Sequence, residues 1–341
     1  MNTEYLRIEN EGCQAEIARA AELLRAGELV AIPTETVYGL AANALDAAAV
    51  EKIFQAKGRP QDNPLIVHAA DAADLAPLVK RMDSRVPALA KAFWPGPLTV
   101  ILPKADCIPD IVSAGLDSVA LRVPAHPAAR AIIRAAGCPL AAPSANSSGK
   151  PSPTTAQHVL HDLDGKIAAV ADGGACAVGV ESTVLSLLGE TPKILRPGGV
   201  SPAQLAEVLG EVETDRAVLE PLQAGVPLLS PGTKYQHYAP RAKLTLVRGT
   251  AQAFAAFTRE NSAGAAALCF AEDLPLLSLP AVSCGGKADG AQQAQRLFDA
   301  LRELDEWDIT RIWAHAPAPQ GIGLAVYNRL LRAAGFDMIT L

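Results

Sequence analysis
The chain has 341 residues, half of them hydrophobic, 4% aromatic and 19% charged, with a formal net charge of −6. That length allows two domains and a sizeable core built on Ala, Leu and Val. The negative balance excludes a protein that coats nucleic acid by charge alone, although a local basic cavity stays open. No stretch approaches the apolar length of a membrane span, and no signal peptide is expected. The six cysteines form no Cys-x-x-Cys pair and have no His at zinc-ligand spacing, so they read as reduced, mostly buried thiols of a cytosolic protein.

The first predicted element is an amphipathic helix over 13–25, with Ile17, Ala20, Ala21 and Leu24 on one face and Gly27 as its stop. A strand over 29–32 runs into Pro33-Thr34-Glu35-Thr36-Val37-Tyr38-Gly39-Leu40. This polar stretch sits where a buried strand ends. In α/β folds such a position takes ligand contacts, or is a strand-to-turn transition with Thr and Glu facing water.

A helix follows, with Asp46 as N-cap and Val50, Ile53 and Phe54 on its apolar face. It leads into Lys57-Gly58-Arg59-Pro60 and Asn63-Pro64-Leu65, then a short strand ending at His68. The two cations read as lying on a polar turn, outside the core. They suit a polyanion such as triphosphate, because Arg grips two oxygens and Lys supplies a point charge. A solvated helix C-terminus would favour the same residues. His68 reads as a structural residue, or as a ligand group by its place beside the basic turn.

Trp94-Pro95-Gly96-Pro97 reads as a rigid turn before a strand over 98–102. A strand over 118–123 carries Arg122, which is costly to bury without an anionic partner. Either it meets a carboxylate or phosphate, or the strand is an edge with Arg122 in water. Pro127 opens a helix, and a strand over 139–142 breaks into Pro143-Ser144-Ala145-Asn146-Ser147-Ser148-Gly149-Lys150-Pro151-Ser152-Pro153. That loop offers hydroxyls, an amide and free N–H groups, as a nucleotide cradle or as a flexible surface loop. A helix over 154–163 and strands over 167–171, 181–185 and 193–196 follow. Arg196 precedes Pro197-Gly198-Gly199, and Ser201-Pro202 caps a helix. Residues 230–240 hold Lys234, Tyr235, His237 and Tyr238 between Pro231-Gly232 and Pro240. A plain linker rarely has that content, so a lid over the nucleotide site is expected, with a tether whose aromatics pack on one domain as the alternative. From residue 244 strands alternate with helices, which implies a parallel sheet covered on both faces.

There is no P-loop, no Gly-x-Ser-x-Gly elbow and no His-Glu-x-x-His helix. No Ser/His or Cys/His pair stands out for covalent catalysis.

In order, Pro33 to Leu40, Lys57-x-Arg59 with Asn63-Pro64-Leu65, Trp94 to Pro97, Pro143-Ser144-Ala145-Asn146 and Glu181-Ser182-Thr183 resemble the YrdC-type domain of threonylcarbamoyl-AMP synthases. The linker and the C-terminal part resemble the long, two-domain members; Thr233 stands where many relatives have methionine. The resemblance implies an α/β fold with a YrdC-like twisted mixed-sheet catalytic domain over 12–200, enclosing a concave basic cavity. A helix and a linker or lid would fill 201–240, and a small Rossmann-like parallel α/β domain 241–341. It further implies that L-threonine, bicarbonate and ATP give threonylcarbamoyl-AMP and pyrophosphate, for a downstream threonylcarbamoyl transferase complex that modifies tRNA.

By the same resemblance Lys57, Arg59, Ser144 and Asn146 form the catalytic constellation, and they also hold ATP together with Asn63, Ser118, Ser152, Arg196 and His237. Thr36, His68, Arg122, Ser182 and the Ala142 backbone would hold threonine. Mg²⁺ would ride on the phosphates without a protein cage. Two other classes stay open. A hydrogenase-maturation carbamoyltransferase would need zinc-finger cysteines. An RNA-binding module is disfavoured by the net charge and the lack of a stacking motif, so direct RNA binding is expected to be weak.

Overall fold
The computed structural model describes residues 2–9, 12–221 and 237–341. Among them the larger sheet is mixed and has eleven strands. Its order is Glu4–Arg7, Ala169–Asp172, Val30–Ile32, Gly39–Asn43, Leu140–Ala141, Ile66–His68, Ser118–Arg122, Leu98–Pro103, Thr183–Ser186, Lys193–Arg196 and Glu213–Thr214. Both faces are covered. Leu40 and Ala42 pack with Val50, Ile53 and Phe54 of the helix Ala47–Lys57, while Ala41 turns to Leu24 and Ile132 of the helices Gln14–Arg25 and Pro127–Ala136. Burial on both faces removes the period-two alternation. The strand Gly39–Asn43 therefore carries no such signature in the sequence; the helix Val86–Phe93 is a further element beyond those predicted.

Asp46 is the N-cap expected for Ala47–Lys57, accepting from the N–H groups of Ala48 and Ala49, and Gly58 ends that helix in the left-handed region at φ 61°. The last helical turn therefore aims Lys57 inward. It is only 4% exposed, which corrects its expected place on a polar turn. The first unit also extends past residue 200. Leu205 of the helix Pro202–Leu209 belongs to its core, and Glu213–Thr214 pairs in parallel with Lys193–Arg196. The cysteines are less buried than expected: Cys107 is exposed, and Cys13 and Cys138 are half-buried.

The second sheet is wholly parallel, ordered Ala281–Ser283, Ala265–Cys269, Arg311–His315, Lys243–Arg248 and Met338–Thr340. Its helices Ala251–Glu260, Gly290–Asp305 and Gly323–Ala333 alternate with these strands, as expected. Its core is not closed on itself, because Val37 and Val180 of the first unit pack into it with Tyr238. Among the described residues no helix is long and apolar enough to cross a membrane.

Replacing Asp46 by alanine leaves two helix N–H groups without their cap and is expected to cost about 1 kcal/mol. Urea unfolding monitored by circular dichroism measures it, and an unchanged midpoint would contradict the cap's role.

Candidate active site
Strand ends of the larger sheet converge on one cleft. Ile66–His68 and Ser118–Arg122 run parallel, with His68 in register with Arg122 at their shared C-terminal end. Arg196 ends its own strand, and Ser182 lies one residue before Thr183–Ser186. The Pro143 loop and the Thr34–Val37 turn close the sides. Turn and loop are tied together, since Leu40 N–H donates to Pro143 O at 2.7 Å and Ala145 N–H to Tyr38 O at 2.8 Å. Thr36, Arg59, His68, Arg122, Ala142, Ser144, Asn146, Ser182, Arg196 and His237 all line this cleft.

Lys57, Asn63, Ser118 and Ser152 are buried but do not line the cleft. The Lys57 ammonium donates to Ser144 O at 2.5 Å, Asn146 O at 2.6 Å and Asn146 Oδ1 at 3.3 Å. Burial, then the charge of Arg59, pushes its pKa well down. Three oxygen acceptors for three N–H donors oppose that pressure. Lys57 thus shapes the loop from beneath. Ser152 donates to Glu181 Oε1 at 2.6 Å. Asn63 is buried and gives its carbonyl to Arg59 Nη2 at 3.4 Å. Ser118 is buried in its strand opposite Pro103.

The arginines are held mainly by backbone carbonyls. Arg196 donates from Nη2 to Ser182 O at 3.0 Å. Gly198 lets that turn approach, since a Cβ there would lie 2.3 Å from Glu181 O. Arg122 is buried, not on an edge. It donates from Nε to Gly96 O at 3.2 Å and from Nη2 to Glu35 Oε1 at 2.6 Å. Glu35 therefore does not simply face water, and the Trp94–Pro97 turn does more than shape the chain. Burial lowers the Arg59 pKa to about 10, so the guanidinium still carries its charge at neutral pH.

Residues outside the expected set complete the walls. Glu181 lines the cleft and accepts from Arg329 Nε at 2.8 Å, an arginine of the C-terminal helix Gly323–Ala333. Burial opposes its ionisation, but Arg329 and Arg196 outweigh that and hold its carboxyl at about 2. Glu35 and Glu181 stood in the quoted motifs. The signal was a carboxylate near a strand end in a chain whose arginines needed partners. Lys150 and Tyr238 also line the cleft. Of the expected lid, Lys234 and Tyr235 lie outside the described residues. His237 and Tyr238 are buried against the cleft, and Ala239 N–H donates to Gly149 O at 3.0 Å.

The arrangement is an anion receptor. Arginines, hydroxyls and an amide face one space, and among the described residues no side chain there has an activated nucleophile's partner. Burial and neighbouring arginines push His68 and His237 down to about 3, so both are neutral at pH 7.

Comparison with known proteins agrees with this geometry. Residues 22–198 match the family model described as Telomere recombination, and residues 200–335 match the one described as Threonylcarbamoyl-AMP synthase, C-terminal domain. A threonylcarbamoyl-AMP synthase of Bacillus subtilis is 48% identical, over 95% of this chain and 94% of its own. One from Pyrococcus abyssi is 44% identical over 95% of each. The crystal structure of P. abyssi Sua5 complexed with L-threonine superposes with a TM-score of 0.90 at 41% identity, covering 100% of both chains.

The buried histidines predict a pH dependence of stability. Their folded pKa values of about 3 lie below the unfolded value near 6.5, so below that pH the unfolded chain binds more protons. Their contribution is complete above about pH 6.5 and is lost as pH falls toward 3, by up to about 1.4 kcal/mol per pH unit for each histidine. Urea midpoints at pH 7, 6 and 5 should fall in step, and His68→Gln should flatten the slope. A flat profile over that range would contradict the burial of neutral histidines.

Proposed function
The chain belongs to the two-domain threonylcarbamoyl-AMP synthase family, and from that premise we propose how its cleft runs the reaction. Threonine and bicarbonate form a carbamate. A carbamate oxygen attacks the α-phosphorus of ATP, and pyrophosphate leaves. Nucleophile and electrophile are both anionic, so repulsion and orientation dominate the barrier. The observation that carries the reading is the set Arg59, Arg122 and Arg196 facing one cleft with Ser144, Asn146 and Ser182.

Arg59 and Arg196 hold the triphosphate. Ser144 and Asn146, fixed by Lys57, donate or accept around the reacting phosphate and carbamate. Asn63, Ser118 and Ser152, which do not line the cleft, act by holding its walls. Arg122, anchored by Glu35 and Gly96, offers the rest of its guanidinium to the threonine carboxylate, while Thr36, His68, Ser182 and the Ala142 backbone surround the amino acid. His237 covers the nucleotide side.

Mg²⁺ would be carried on ATP, where it would offset phosphate charge. Glu181, in the cleft wall, and Glu35, behind Arg122, are each bonded to an arginine, which fits a cation held by the phosphates and not by the chain. In this reading residues 12–200 and their extension to Thr214 form the catalytic unit. The product is a mixed anhydride. It passes, in the cytosol, to a transferase complex that modifies tRNA.

Pyrophosphate release is expected to require threonine and bicarbonate together. Equal release without threonine would overturn the substrate assignment. Arg122→Lys loses the fork that serves Gly96, Glu35 and a carboxylate at once, and should raise the threonine KM by roughly tenfold or more with the ATP constant little changed. A rise confined to ATP would move Arg122 to the phosphates.

A further inference from the structure
The loop over 143–153 carries Ser144, Asn146 and Ser152. Asn146 ties its tip locally, donating from Nδ2 to Ser147 O at 3.0 Å and to Lys150 O at 2.8 Å. Other anchors are distant, and they trace to two arginines of the C-terminal domain. Arg302, on the helix Gly290–Asp305, donates from Nη2 to Pro151 O at 2.6 Å and to Asp162 Oδ2 at 3.0 Å. Asp162 Oδ2 in turn accepts from Ser147 N–H at 3.3 Å. Arg329 binds Glu181 Oε2 at 2.8 Å, and the other oxygen of that carboxylate accepts from Ser152 Oγ. Arg329 also donates to Pro197 O at 3.0 Å, beside Arg196. The helix carrying Arg302 docks closely: a Cβ on Gly179 would lie 2.4 Å from Gln295 Cα.

We propose that the C-terminal domain is part of the nucleotide site, with Arg302 and Arg329 as positioning residues that fix the 143–153 loop and the Glu181 wall in the shape that receives ATP. This rests on the reading of that loop as nucleotide-binding. The physical ground is preorganisation. A Ser-, Gly- and Pro-rich loop has several accessible shapes, and each hydrogen bond to a charged partner removes some before the ligand arrives. Arg329 is fully buried and Arg302 nearly so, so neither pairing is a weak solvated ion pair of the surface type. Neither arginine lines the cleft, so each acts through a neighbour.

The inference predicts a split between the two substrates. In the full-length protein Arg302→Met and Arg329→Met should each raise both the ATP KM and the calorimetric Kd for ATP by about tenfold. The threonine constant should stay within about twofold, because among the described residues neither arginine is hydrogen-bonded to Arg122 or His68. Arg302→Lys keeps a charge for Asp162 but not the reach to Pro151, and should recover part of the loss. Glu181→Gln combined with Arg329→Met should be no worse than the more impaired single variant, since both break one chain of contacts. Arg259→Ala, an exposed residue of the same domain, should match the wild type. Should Arg329→Met fail to fold, Arg302→Met decides the matter. An unchanged ATP constant in a folded variant would overturn the proposal. So would ATP and threonine binding that weaken together in proportion to lost folded protein. A wild-type chain lacking threonine-dependent pyrophosphate release would instead remove the functional reading itself.

Discussion

Positive charge held out of bulk water around one cleft is the constraint on which the rest of the structure depends. Lys57, Arg122 and Arg196 are buried and Arg59 is half-buried; Glu35 pairs with Arg122, and Glu181, Asp162 and Asp62 are the carboxylates near Arg196, Lys57 and Arg59. Glu181 is already shared with Arg329. Withdrawing cations from water costs several kcal/mol each unless other groups replace the lost hydration. Here backbone carbonyls supply much of the replacement: Ser144 and Asn146 for Lys57, Gly96 for Arg122, Ser182 for Arg196, Asn63 and Pro64 for Arg59. Carbonyls solvate a cation without cancelling its charge. The cleft therefore stays positive, and an anionic ligand completes it. Burial first, and this field second, keep His68 and His237 neutral, so they shape the walls without adding charge.

This explains why turns carry so much of the chain's character. A carbonyl can point at a cation only where the backbone leaves regular pairing, and Gly and Pro fix where that happens. The Trp94–Pro97 turn and the Gly198 turn are the two clearest cases. They are as much a part of the site as the arginines they serve.

Much of this was legible from residues alone, where the cause is local. Asp46 caps its helix because its carboxylate lies within reach of N–H groups two and three residues on. The C-terminal elements alternate as their periodicity says. The motifs that fix a strand end beside a turn landed on the cleft. What stayed hidden depends on partners far along the chain. The inward aim of Lys57 follows from carbonyls 87 and 89 residues away, and the role of Glu35 from an arginine 87 residues on. Arg302 and Arg329 sit in helices whose sequences look ordinary, and only their docking gives them meaning. Gly39–Asn43 is not legible, because burial on both faces erases the alternation that marks a strand.

The product of the proposed reaction is an acyl phosphate that water would destroy, so a site assembled across two domains has a chemical rationale. One domain supplies the charge, and the other closes and stiffens the wall. The central claim is that the uncompensated charge of the cleft holds the triphosphate. Calorimetric titration of ATP into the wild type and Arg59→Gln, at fixed ionic strength and neutral pH, tests it most directly. The account predicts stoichiometric binding to the wild type and affinity lower by roughly one to two orders of magnitude in the variant, with its melting temperature little changed. Equal dissociation constants for the two folded proteins would contradict it.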